Sequence, residues 1–138
     1  MRVAWGSGLA CVALVAASLA ACNQGPTEPT QSSITETFEG TLQPGESTQF
    51  RFTVGERGTV SVIMMNSFQP DTSLQVGLGM AVGSWDGTTC TLLVKNDNSV
   101  LGTVIAGSAL EGEYCLSIYD SGNIGEFSVT YTVEVSHF

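Results

Sequence analysis

Basic residues are the scarcest chemistry in this chain. Among 138 residues only Arg2, Arg51, Arg57 and Lys95 carry positive charge, against thirteen carboxylates, for a formal net charge of −9. A surface of that sign repels nucleic acid and anionic headgroups, which excludes nucleic-acid binding and attachment through a basic patch. Histidine is almost missing too. The single one, His137, stands beside the last residue, whereas a Ser-His-Asp or Cys-His site needs its base held inside a pocket. A histidine at that position is expected to be structural or solvated. There is no C-x-x-C, and no histidine lies near a cysteine in sequence, so the usual zinc spacings are absent. Charged residues make up only 12% of the chain, so an exposed surface must be built largely from Ser, Thr, Gly, Asn and Gln. Beyond the N-terminal region no window shows a sustained 3.6-residue apolar period with caps, which argues against a helical domain.

The N-terminal region has its own layout. Arg2 supplies a positive start, and Leu9 to Ala21 is a run of apolar and small residues. The run is shorter than the roughly 20 residues needed to span a bilayer, and it reads as a secretory signal peptide. It ends Leu19-Ala20-Ala21-Cys22, which resembles the lipobox of bacterial lipoproteins. The resemblance implies cleavage before Cys22 and lipid on its sulfur and new amino group, so that the membrane is a partner through Cys22. A single acyl chain anchors only marginally, and stable attachment takes two or more. Asn23 stands where an Asp would favour retention at the inner membrane in the enterobacterial sorting rule, so the expected location is the outer membrane. The plainer alternative is an ordinary signal peptide cut nearby, with Cys22 a bystander. Asn23 to Ser33 holds two prolines and no large apolar residue, which is the composition of an extended tether. The organisation read from sequence is signal peptide over 1–21, lipidated cysteine and tether over 22–33, and a folded domain over 34–138.

From Ile34 the apolar period becomes two. Phe50, Phe52 and Val54 alternate with Gln49, Arg51 and Thr53, and Val60, Val62 and Met64 follow a Gly55-Glu56-Arg57-Gly58 turn. Further strands are expected over Ile34–Glu39, Leu74–Val82, Thr91–Val94, Val100–Ala106, Tyr114–Tyr119 and Phe127–Val135. Turn clusters separate them at Gln43–Glu46, Gln69–Asp71, Trp85–Gly87, Lys95–Asn98 and Asp120–Asn123. About eight short strands at these spacings predict an all-β, antiparallel, jelly-roll-like sandwich. Of four cysteines, Cys11 leaves with the signal and Cys22 takes lipid. Cys90 and Cys115 remain in a compartment that permits disulfides, and a bond between them is expected to stabilise by roughly 3–4 kcal/mol. The alternative for either is a reactive or metal-binding thiol.

Several of these segments also resemble a known family. Thr37-Phe38-Glu39-Gly40-Thr41-Leu42, then Gly45, then Phe50-Arg51-Phe52-Thr53-Val54 is similar to the opening of bacterial pre-peptidase C-terminal (PPC) domains. Gly58 to Val62, Asp71 to Leu78, Leu110 to Leu116 and Phe127 to Val135 resemble its later strands. The resemblance implies a β-sandwich that accompanies secreted peptidases without being their catalytic part, and it brings no catalytic residues.

The remaining candidates are few. Trp85, in Gly-Ser-Trp-Asp-Gly, would stack on a sugar ring with Asp86 beside it, or else cover one end of the sandwich. Asp71, Asp86, Asp97 and Asp120 fall in expected turns, where carboxylates usually cap their own backbone rather than work in catalytic pairs. Asp97, Asp120 and Asn123 would supply the oxygen ligands of a Ca²⁺ site, although neither turn holds a full set. The expected protein is therefore not an enzyme and needs no cofactor. It is a lipid-anchored, extracytoplasmic module of the bacterial cell envelope with an interaction or structural role. Its partner is an envelope protein or a glycan, the glycan meeting the Trp85 loop in the alternative reading.

Overall fold

The computed structural model describes residues 31–138, so the expected signal peptide, the Cys22 lipidation site and most of the tether lie outside the described residues. Eight strands follow: β1 Ile34–Leu42, β2 Ser47–Val54, β3 Gly58–Phe68, β4 Leu78–Trp85, β5 Cys90–Ser99, β6 Val104–Ala109, β7 Gly112–Tyr119 and β8 Val129–His137. They form two antiparallel four-stranded sheets of order β1-β8-β3-β6 and β2-β7-β4-β5. Apart from the β4–β5 hairpin, successive strands cross between sheets in the nested order of a jelly roll.

Period-two alternation builds the core. Leu42, Val62, Met64, Val129, Val133 and Val135 face inward from the first sheet. Phe52, Val54, Leu78, Met80, Leu116 and Ile118 meet them from the second. Each buried side chain contributes about 1.5–3 kcal/mol before chain entropy is set against it. The intervening residues of β8, Thr130, Thr132, Glu134 and Ser136, lie on the solvent side. His137 joins the core, with only 2% of its surface exposed. It packs on the Phe52 ring at 5.5 Å, and its Nε2 lies 2.8 Å from Glu36 Oε1. The histidine is structural, tying the end of β8 to β1.

The two open sides of a sandwich lie where its edge strands face each other. On the β1/β2 side, Phe38 stacks on Phe50 at 4.8 Å, and Tyr131 meets Phe50 edge-on at 6.4 Å. Aromatic rings close that side. The β5/β6 side has no comparable closure.

Several boundaries differ from the alternation pattern. The fourth strand starts at Leu78, not Leu74. Leu74 is exposed, and Gln75 makes only an isolated bridge to Phe68. Residues 69–77 carry the chain from β3 in one sheet to β4 in the other, so no ladder is available to most of them. Lys95–Asn98, read as a turn by composition, continues β5, with Lys95 opposite Ala81 and Asn96 opposite Met80. The turn falls instead at Val100–Thr103, closed by the Thr103 N–H donating to Val100 at 2.8 Å, with Gly102 at φ 84°. That moves the following strand to Val104–Ala109. Likewise β8 begins at Val129, because Phe127 is exposed outside the ladder.

Candidate functional site

Strands β5 and β6 are the facing edges of the two sheets. Between them runs a groove of about 220 Å³, floored by Val60, Val82, Ile105, Ala109 and Tyr114 and flanked by Leu93. Leu92, Leu93, Val94, Val104 and Leu110 are exposed on or beside these two strands, Leu93 at 66%. Half of the exposed large apolar side chains among the described residues thus lie on or beside these two edge strands. Concentrated apolar surface of this kind marks an interaction site.

Strand β6 lines its side of the groove mostly with small residues. Ala106, Gly107, Ser108 and Ala109 line the groove, and Ala106 to Ser108 are exposed. A Cβ added at Gly107 would meet nothing within 4 Å. Edge strands are usually protected from further pairing by charge, bulges or short length. Here β1 carries Glu36 and Glu39, β2 carries Arg51, and β5 carries Lys95 and Asp97 together with two register shifts against β4. The β6 sequence Val-Ile-Ala-Gly-Ser-Ala has no charge at all.

The Trp85 region has a different character. Trp85 is the last residue of β4, half-buried, on the outer face of the second sheet. The Arg51 guanidinium lies 5.4 Å from its ring centroid, a cation–π contact that occupies one ring face. Asp86 builds the hairpin to β5. Its Oδ1 accepts the Thr88 and Thr89 N–H groups at 2.8 and 2.7 Å, and those donors, Thr89 first, hold its pKa below the ordinary carboxylate value. The two residues are adjacent in the structure, but the side chain of Asp86 is committed to its own turn.

The disulfide joins Cys90 and Cys115, 25 residues apart in sequence. It links β5 to β7 across the intervening β4. Gly83 lies opposite Cys115 there, and a Cβ on it would run into the carbonyl of Thr91. Glycine at that position lets β5 press against β4 next to the groove.

The calcium candidates occupy different elements. Asp97 lies on β5, where its carboxylate accepts from Tyr119 Oη and from Lys95 Nζ at 2.9 Å. The Tyr119 hydroxyl first, then Lys95, lowers its pKa. Burial, and secondarily Asp97, pushes the Tyr119 phenol up to about 12. Asp120 lies beyond β7 and holds two turns together. Its Oδ2 accepts from Gly45 N at 2.9 Å, and its Oδ1 accepts from Gly122 N at 2.7 Å and Asn123 N at 3.1 Å. Asn123 directs its amide to Gly77 O and Ser121 Oγ. Among the described residues no group of three or more His, Cys, Asp or Glu side chains converges on a point where a metal would sit.

No family model matches the chain, and no curated protein sequence matches it. Solved structures do share its fold. A periplasmic inhibitor of g-type lysozyme from Aeromonas hydrophila, PliG, aligns at 13% identity over 74% of this chain and 84% of that one, with a TM-score of 0.51. The Yersinia pseudotuberculosis-derived mitogen aligns at 10% identity over 78% and 88%, with a TM-score of 0.55. The pre-peptidase C-terminal domain of a Bacillus anthracis collagenase aligns at 18% identity over 74% and 87%, with a TM-score of 0.46. The first two likenesses show a shared β-sandwich fold and nothing beyond it.

The sequence pattern did not single out the groove. One signal was available. Leu92-Leu93-Val94 is an unbroken apolar run inside an otherwise polar strand, so at least one of its residues must face away from the core.

Proposed function

We propose that this chain is a non-catalytic, extracytoplasmic binding module that takes a protein partner along the β5/β6 side of its sandwich. The observation that carries the reading is the apolar groove with an uncharged strand edge beside it. A strand edge offers main-chain donors and acceptors, and an apolar cleft accepts alternate side chains. Together they suit an extended polypeptide better than a sugar or a small polar ligand. Trp85, the residue best suited to a glycan, already stacks with Arg51. A disulfide fits an oxidising compartment. PliG, a sandwich of the same fold class, is a periplasmic lysozyme inhibitor and so a protein-binding protein. In this reading lipid on Cys22 holds the module at the outer membrane, with a polar tether between.

The test is a photo-cross-linking amino acid placed at position 93 of the full chain and irradiated in intact cells, with position 37 on the opposite sheet as the control. The expected result is a discrete protein adduct from position 93 and none from position 37. Equal background from both positions would overturn the reading.

A further inference from the structure

We infer that the partner of the β5/β6 groove is a second copy of this chain, paired through β6 across a two-fold axis. The inference rests on the reading of the groove as a protein-binding site and names its occupant.

Charge permits this occupant at one place only. The chain is strongly acidic, with a formal net charge of −9, so two copies repel over most of their surface. They can meet closely only where carboxylates are missing. β6 is such a place: Val104 to Ala109 is charge-free, and Leu92, Leu93 and Val94 beside it are charge-free as well. A basic partner would instead be drawn to the carboxylate-bearing faces, where β1 carries Glu36 and Glu39. An uncharged patch that is self-complementary is what an isologous two-fold interface requires.

The geometry is restrictive. In an antiparallel pair, residues opposite each other point to the same side of the sheet. Ile105 and Ala109 point into the core, whereas Val104 and Ala106 are exposed. Pairing centred on Ala106 keeps these faces aligned. It places Ile105 of each copy opposite Gly107 of the other, where the structure leaves open space. Val104 then stands opposite Ser108. The four-stranded sheet β1-β8-β3-β6 becomes eight-stranded, and the apolar β5 edges of the two copies come to the same side of it. The carboxylates of β1 remain at the far ends of the joined sheet.

Two measurements on the full chain carrying Cys11→Ser and Cys22→Ser, so that neither lipid nor a second free thiol obscures the result, test this. Sedimentation velocity at micromolar concentration is expected to give a dimer, and Ala106→Lys is expected to shift it to monomer with a dissociation constant raised at least tenfold. Ala106→Cys is expected to form an intermolecular disulfide under mild oxidant, whereas Thr37→Cys is not. The Cys variant also decides the matter if Ala106→Lys fails to fold. A monomer that does not cross-link at position 106, yet gives a different protein as adduct from position 93 in cells, overturns the second-copy inference and leaves the groove reading standing. A monomer with no adduct at either position overturns both. A dimer unchanged by Ala106→Lys and not cross-linked through Ala106→Cys places the contact elsewhere and also overturns the inference.

Discussion

Asp120 illustrates how single residues fix this small domain. One carboxylate accepts from Gly45 on one side and from Gly122 and Asn123 on the other, so two loops share an anchor. The Gly45 N–H is the leading cause of its lowered pKa. A depressed folded-state value stabilises above the unfolded pKa of about 3.9, and that stabilisation is lost as pH falls through the folded value. Asp120→Asn should cost about 1 kcal/mol at neutral pH, kept small by solvent screening, and should weaken the acid dependence. Urea unfolding at pH 7 and near pH 3 measures both effects. Tyr119 gives the opposite sign. Its phenol, pushed up to about 12, favours the protonated form in the fold. Its contribution is complete below the unfolded value of about 10 and disappears as pH rises towards the folded one. Tyr119→Phe should flatten stability across that alkaline window, followed by denaturant unfolding, while the wild-type phenol titrates late by tyrosinate absorbance. At the disulfide, the Cys90→Ala/Cys115→Ala double variant should lose about 2–4 kcal/mol of unfolding free energy. An unchanged thermal midpoint would show that the bond contributes nothing.

At the scale of elements, β5 and β6 carry the groove, and β4 beside β5 helps explain what sequence reasoning sees and misses. Gly83 in β4 lies where a side chain would strike the backbone of Thr91. Gly83→Val should therefore destabilise by about 1–3 kcal/mol through overpacking, and should displace Leu92 and Leu93 with it. Circular dichroism melts check the first effect and cross-linking at position 93 the second. Strands β2 and β8 were legible because the apolar face is buried and the other more open, so the alternation is regular. β3 alternates up to its register shift after Met64, and β7 keeps Leu116 and Ile118 in phase although Cys115 and Ser117 are buried too. The number of strands, their antiparallel arrangement and the Cys90–Cys115 bond follow the sequence pattern. β5 was not fully legible, since it is an edge strand with little of it buried. Lys95-Asn96-Asp97-Asn98 has turn composition, yet the ladder to β4 and the Asp97 contacts with Tyr119 and Lys95 hold it extended. Leu74 and Val76 alternate like a strand but lie on the crossing between sheets, where a ladder partner is missing along most of the segment. Of the candidate site residues, Trp85 and Asp86 come out adjacent, with their interactions directed at Arg51 and at their own hairpin.

The whole molecule is asymmetric in a way that no single strand reveals. One side of the sandwich is shut by Phe38, Phe50 and Tyr131, and the other exposes an apolar cleft with an uncharged edge. Only the jelly-roll order brings β5 and β6, from different sheets, to the same side, so the site is a product of topology rather than of a motif. The acidic surface around it limits which partners can approach elsewhere. Amide hydrogen exchange tests the central claim most directly, comparing the full chain at low concentration in isolation with the same chain in an extract of the cells that make it. The account predicts that exchange slows over Val104–Ala109 and Leu92–Val94 in the extract, with little change around Arg51 and Trp85. Unchanged exchange along β6, with new protection at Arg51 and Trp85, would contradict it and place the binding face on the other side of the second sheet.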